Sequence, residues 1–184
     1  MKLEFLTFDQ WDDHLWDSVR PIYNEAFAEK GAKPEKIIRN MFRKQLCFLH
    51  IGLDDGRVAA MSLTGKLKEA NSLLIDYFAV KEELRGQSFG THLLKYIEDW
   101  AMTSEHYNSL IIEVEAEETP ENQARAAFWK RSGFVLTEYI HQYIWVPEPY
   151  QAMYKKLRPD TKLSTDGKIL FTYIGQFHKE SFQR

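Results

Sequence analysis

Polar and apolar positions follow two rhythms along this chain. The opening KLEFLTF alternates with period two and predicts a strand. From Gln10 to Ala28 the period becomes helical: Trp11, Leu15, Val19, Ile22 and Ala26 share a face, with Pro21 expected to kink the helix. A shorter helix is predicted after Pro34, turning Ile37, Ile38, Met41 and Phe42 inward. LCFLHIGL and VAAMSLTGKL flank the turn DDGR, a hairpin signal in which Gly56 supplies the turn conformation. A strand at 72–80 precedes a helix from about Phe89, whose inward positions are Leu93, Leu94, Ile97, Trp100 and Ala101. SLIIEVEA is the next strand, followed by a helix at 121–132 and strands near 134–140 and 150–157. Beyond Arg158, Leu170, Tyr173, Ile174, Phe177 and Phe182 recur at near-helical spacing and predict a terminal helix with Gly175 as its weak point.

Helices alternating with strands, without repeats or low-complexity tracts, give an α/β class. At 184 residues, 44% hydrophobic and 14% aromatic, the chain suits one domain with a full-sized core. A formal net charge of −3 provides no global basic field, which disfavours nucleic acid or an anionic membrane as the main partner. No window approaches the apolar length of a membrane span, the single cysteine, Cys47, excludes an internal disulfide, and a charged leader is absent, so the cytoplasm is the expected location. The six histidines show no paired ligand spacing and no metal site is expected; His141 is the one singled out for testing.

The stretch SLLIDYFAVKEELRGQSFGT at 72–91 carries the most chemistry. An apolar strand runs through a short charged linker into a Gly-containing turn that opens a helix. Free N–H groups and the helix dipole make such a turn a place for a phosphate group, with Arg85 as a fixed cation and Gly86 and Gly90 permitting close approach. The same layout also serves as plain strand-to-helix punctuation. The RGQSFG segment resembles the pyrophosphate-binding signature of the GNAT N-acetyltransferase superfamily, with Arg85 and Gly90 matching and Ser88 replacing the middle glycine. A second block, ENQARAAFWKRSGF at 121–134, looks like the later motif of that family through Asn122, Trp129, Gly133 and Phe134.

The resemblance implies a twisted mixed sheet flanked by helices, with central parallel strands splayed to hold acyl-CoA. It implies an acetyltransferase domain at 1–157, and leaves 158–184 as an unexplained extension expected to pack as a helix on the same domain. It assigns the diphosphate to Arg85, Gly86, Gln87, Ser88, Phe89, Gly90 and Thr91, and the pantetheine arm to the backbone of Phe78, Ala79 and Val80. Trp129 would lie near the thioester, where many members carry a tyrosine. Asn122 would either bond the arm or cap its own helix.

Acetyl transfer to an amine needs a neutral nitrogen, an oriented thioester and a proton for the thiolate. Glu113 and Asp76 are the candidate bases. Glu113 and Glu115 share a strand face about 7 Å apart, so they either line a wet cleft or pair with Arg125 or Arg131. Tyr143, among Tyr139, Tyr143 and Tyr150, is the candidate acid, with water as the alternative proton source. The expected activity is acetyl-CoA-dependent transfer to a primary amine of a small molecule or protein by direct attack in a ternary complex. The alternative is a non-catalytic acyl-CoA sensor that kept the cofactor turn, and a homodimer is the default assembly.

Overall fold

The computed structural model describes residues 2–184. The strands are β1 (Leu3–Phe8), β2 (Cys47–Asp54), β3 (Arg57–Leu67), β4 (Ser72–Val80), β5 (Ser109–Glu115), β6 (Val135–Gln142) and β7 (Pro149–Lys156). The helices are α1 (Asp13–Phe27), α2 (Glu35–Arg43), α3 (Phe89–Thr103), α4 (Pro120–Arg131) and α5 (Gly167–Phe182). All seven strands form one sheet in the order β1-β2-β3-β4-β5-β7-β6, antiparallel throughout except for the β4–β5 pair. This is the mixed, helix-flanked α/β sheet expected.

Local chemistry sets the boundaries. The Asp12 carboxylate accepts from Leu15 N at 2.7 Å and starts α1, while Asp55 and Gly56, both at positive φ, make the two-residue turn between β2 and β3. α1 runs through Pro21 without a break, and its buried face is Trp16, Val19, Ile22 and Tyr23. Ala26, expected inside, is exposed, because the stripe drifts one position toward the aromatic side chains.

The helices divide between the two faces of the sheet. α1, α2 and α5 cover one face through a cluster that includes Val19, Ile38, Met41, Leu170 and Phe177. α3 and α4 cover the other through Leu94, Ala101 and Trp129, packed on Leu110, Ile112 and Met153.

A bulge interrupts β4. Leu63 of β3 pairs with Tyr77 and Thr64 with Ile75, so Asp76 is the extra residue. Asp76 and Tyr77 consequently both reach toward the α1 side, as their contacts with the segment before α2 show. The parallel pairing with β5 stops at the same level, at Ile75 with Ile112. Beyond it, Tyr77–Val80 pair only with β3, and Glu113–Glu115 only with β7. The two central strands part here into a V.

α5 lies close against the sheet because two glycines admit it. A Cβ at Gly65 of β3 would sit 2.3 Å from the Phe177 ring, and one at Gly167 would sit 2.4 Å from Thr137 Oγ1. The last carbonyls of α5 accept from α2 and its end: Asn40 Nδ2 donates to Ser181 O and Gln183 O, and Lys44 Nζ to Glu180 O and Gln183 O. The helix passes through Gly175 without interruption. Its inward set includes Phe171, whereas Phe182, expected inside, is 54% exposed.

Candidate active site

The turn between β4 and α3 holds donors with no acceptor. A short 3-10 turn at Glu82–Leu84 leads to Arg85 in extended conformation, Gly86 at φ +75° and Ser88 at φ +66°. The carbonyl of Ser88 accepts from His92 N at 3.0 Å and His92 Nδ1 at 2.8 Å. Among the described residues, no backbone carbonyl receives the N–H groups of Gln87, Ser88, Phe89, Gly90 and Thr91, and no side chain caps the helix. Arg85 Nε donates to Val80 O at 3.1 Å, which ties the guanidinium to the end of β4 instead of leaving it loose in the turn. A Cβ at Gly90 would meet the Phe128 and Phe78 rings at 3.6 Å, so the first helical turn lies against the aromatic wall of the V. A diphosphate fits this arrangement: several free N–H groups converge at a helix start and require an anion or water.

The wall on the α4 side is aromatic. Trp129 packs edge-on against Phe78 at 5.3 Å, Phe128 at 5.0 Å and Phe134 at 5.1 Å. Asn122 does not cap its helix. Thr119 is the N-cap, its hydroxyl accepting from Asn122 N, and the Asn122 amide donates to Glu115 Oε2 and Glu117 O instead. The helix begins earlier than a cap at Asn122 requires, because Pro120 starts it after Thr119.

The opposite mouth of the V, facing α1, α2 and α5, is charged. Lys33 Nζ meets Asp76 Oδ2 at 2.5 Å, with side chains only 6% and 5% exposed. The segment that carries Lys33 is pinned to β4: Tyr77 Oη donates to Gly31 O and accepts from Lys33 N, and Tyr23 Oη donates to Lys33 O. Asp76 is thus committed to a buried ion pair. Glu113 accepts from Tyr143 Oη at one oxygen and from His178 Nε2, 2.8 Å away, at the other. Burial alone pushes the Glu113 carboxyl up, but the hydrogen bonds from His178 and Tyr143, with the charge of Lys33, outweigh it and hold the carboxyl below its ordinary range. Burial and the Glu113 charge push the Tyr143 phenol far up, so it stays protonated and donates. Neither Arg125 nor Arg131 serves Glu113. Arg125 approaches Glu115 instead, at 3.8 Å, and Lys30 Nζ bonds Glu115 at 2.9 Å. His141 stacks on Phe171 at 4.2 Å and lies edge-on to Tyr143.

Residues 11–134 match the profile of the Acetyltransferase (GNAT) family. The chain belongs to that family. An uncharacterized N-acetyltransferase of Methanocaldococcus jannaschii is 30% identical over 146 residues, which span 79% of this chain and 88% of the relative. Among solved structures, a putative GNAT acetyltransferase from Bacteroides thetaiotaomicron superposes with a TM-score of 0.70 at 18% identity, covering 97% of this chain and 95% of the other. The ribosomal-protein-S18-alanine N-acetyltransferase from Escherichia coli superposes with a TM-score of 0.62 at 16% identity, covering 88% of this chain and all of that one. At those identities the structural likeness concerns the fold alone.

Two side chains that the structure brings to the candidate site of this N-acetyltransferase escape sequence reasoning. Lys33 sits in a short loop that periodicity does not describe, and its partner Asp76 is a bulge residue whose face cannot be read from strand alternation. His178 lies 65 residues from Glu113, on a helix outside the matched segment. The one signal for it is its position next to Phe177 on the face predicted to pack, where a half-buried imidazole favours a polar partner.

Proposed function

We propose that this enzyme transfers acetyl from acetyl-CoA to a primary amine, of a small molecule or a protein, by direct attack in a ternary complex. The observation that carries the reading is the V between β4 and β5, which has unmet N–H donors of α3 at one mouth and the Glu113 cluster at the other. Gln87 to Thr91 and Arg85 would hold the diphosphate, and the free edge of Phe78, Ala79 and Val80 would pair with the pantetheine arm as an added strand does. Bound there, the thioester supplies an activated acetyl group. The acceptor then enters from the α1, α2 and α5 side. Placing the nitrogen against the carbonyl accounts for the larger share of the barrier, about 7 to 11 kcal/mol, whereas one proton-transfer group gives about 10²- to 10⁴-fold. Tyr143 steadies Glu113, and solvent protonates the departing thiolate, since the indole of Trp129 gives up no proton at neutral pH.

That aromatic cluster, with tryptophan among its rings, also favours a second reading in which acyl-CoA binds without turnover. One pair of measurements decides. Acetyl-CoA at about 100 times its dissociation constant should stabilise the fold by about 2.7 kcal/mol, and Gly90→Glu should abolish the gain. Thiol release over an amine panel should then occur with at least one amine. Stabilisation without release to any amine supports the sensor, and no stabilisation at all refutes both readings.

A further inference from the structure

His178 has no part in the mechanism above, yet its geometry suits the one step that mechanism leaves unassigned. That step is the removal of a proton from the acceptor nitrogen, so a role for His178 in it rests on acetyl transfer as proposed. Glu113 is an anion and can only accept, so its 2.8 Å contact with His178 requires the hydrogen on Nε2. Nδ1 is left with a lone pair. It meets no hydrogen-bond partner among the described residues, and it is not sealed from solvent either: the sealed, unpartnered side-chain atoms are Trp16 Nε1 and Asp54 Oδ1. The other candidate bases are engaged. Each Glu113 oxygen already receives a donor, and Asp76 is neutralised by Lys33.

We propose that His178 is a catalytic base of this enzyme, Nδ1 taking the proton shed by the acceptor nitrogen while Glu113 fixes the ring and balances the imidazolium charge. The nitrogen bonds to the acetyl carbon as the carbon–sulfur bond breaks, and the electron pair leaves with sulfur. The surplus N–H proton goes to Nδ1, and solvent protonates the thiolate. Five other titratable groups face the pair. Lys33, from the loop before α2, and Asp76, from β4, cancel each other. Tyr143, after β6, and Tyr150, on β7, are pushed up by burial, the latter to about 12, and stay neutral. His141, on β6, is pushed down by burial, which favours its neutral form. Because α5 lies outside residues 11–134, this base comes from an element beyond the matched segment.

The variant His178→Gln tests this, because its amide can still donate to Glu113 but cannot take a proton. At saturating acetyl-CoA, kcat/KM for the amine should fall about 10²-fold or more at neutral pH, the acidic limb of the pH profile should vanish, and acetyl-CoA affinity by calorimetry should stay at the wild-type value. A second readout needs no ligand. In histidine-labelled protein, the neutral His178 ring, assigned by its absence from His178→Gln, should carry its hydrogen on Nε2 in nitrogen NMR. A hydrogen on Nδ1, or a variant within about twofold of wild type with the acidic limb intact, overturns the proposal. Wild-type protein that binds no acetyl-CoA overturns the reaction itself, and calorimetry reads that separately from the tautomer.

Discussion

Ser88 shows how a single residue stores strain at the mouth of the V. It stands at φ +66°, in the left-handed region that a side chain enters at a cost of about 1 kcal/mol, where the family signature has glycine. Ser88→Gly should therefore stabilise the protein by about 1 kcal/mol and raise the unfolding midpoint by about 2 to 4 °C, without weakening acetyl-CoA binding. A lower midpoint would show that the hydroxyl contributes more than the strain removes. The glycine turn and Arg85 were legible because such turns are written in residue type. The way Arg85 folds back on Val80 O was not, since it depends on the path of the backbone between them.

At the scale of elements, α5 brings His178 to Glu113, at the mouth of the V proposed for the acceptor. Its seat requires Gly65, where a methyl group would overlap the buried Phe177 ring. Gly65→Ala should destabilise by about 1 to 3 kcal/mol, and should lower amine turnover more than acetyl-CoA affinity, because α5 and the α3 turn sit on opposite faces of the sheet. Equal loss of both, by calorimetry and thiol release, would contradict this division. The order of helices and strands was legible throughout, because periods of two and 3.6 are long-range signals that survive small shifts. The inward faces of α1 and α5 each depart from their periodicity at one residue, Ala26 and Phe182, since the pattern blurs at helix ends. The bulge at Asp76 was invisible. It inserts a single residue into an otherwise regular apolar run, and only the partner strand reveals it.

Across the whole molecule, His50 links β1, β2, β3 and α3 without touching the site. Its Nδ1 meets Thr7 Oγ1 and its Nε2 meets Thr64 Oγ1, both at 2.8 Å, and Thr7 in turn meets Tyr96 Oη. Complete burial pushes the imidazole down to about 3 from an ordinary 6.5. The folded group resists protonation and the unfolded one does not, so its stabilisation is full above about pH 6.5 and is lost as the pH falls. Between about pH 6.5 and 5 the loss should be about 1 to 2 kcal/mol. Glu113, whose carboxyl is held below 4.5, adds its own loss only at lower pH. Urea unfolding of wild type and His50→Gln across this range should show the slope in the first and its absence in the second.

The closed end of the V is fastened as firmly as its mouth is open. Ser72 and Ser109, both fully buried, are hydrogen-bonded hydroxyl to hydroxyl across the parallel pair, and Asn108 N donates to Asn71 O beside them. These bonds add to the strand ladder from Ser72 to Ile75 in holding the apex together. An acyl chain bound in the V as proposed would meet an aperture braced at its apex, and chain-length preference should then show as an abrupt steric cutoff in place of a graded decline.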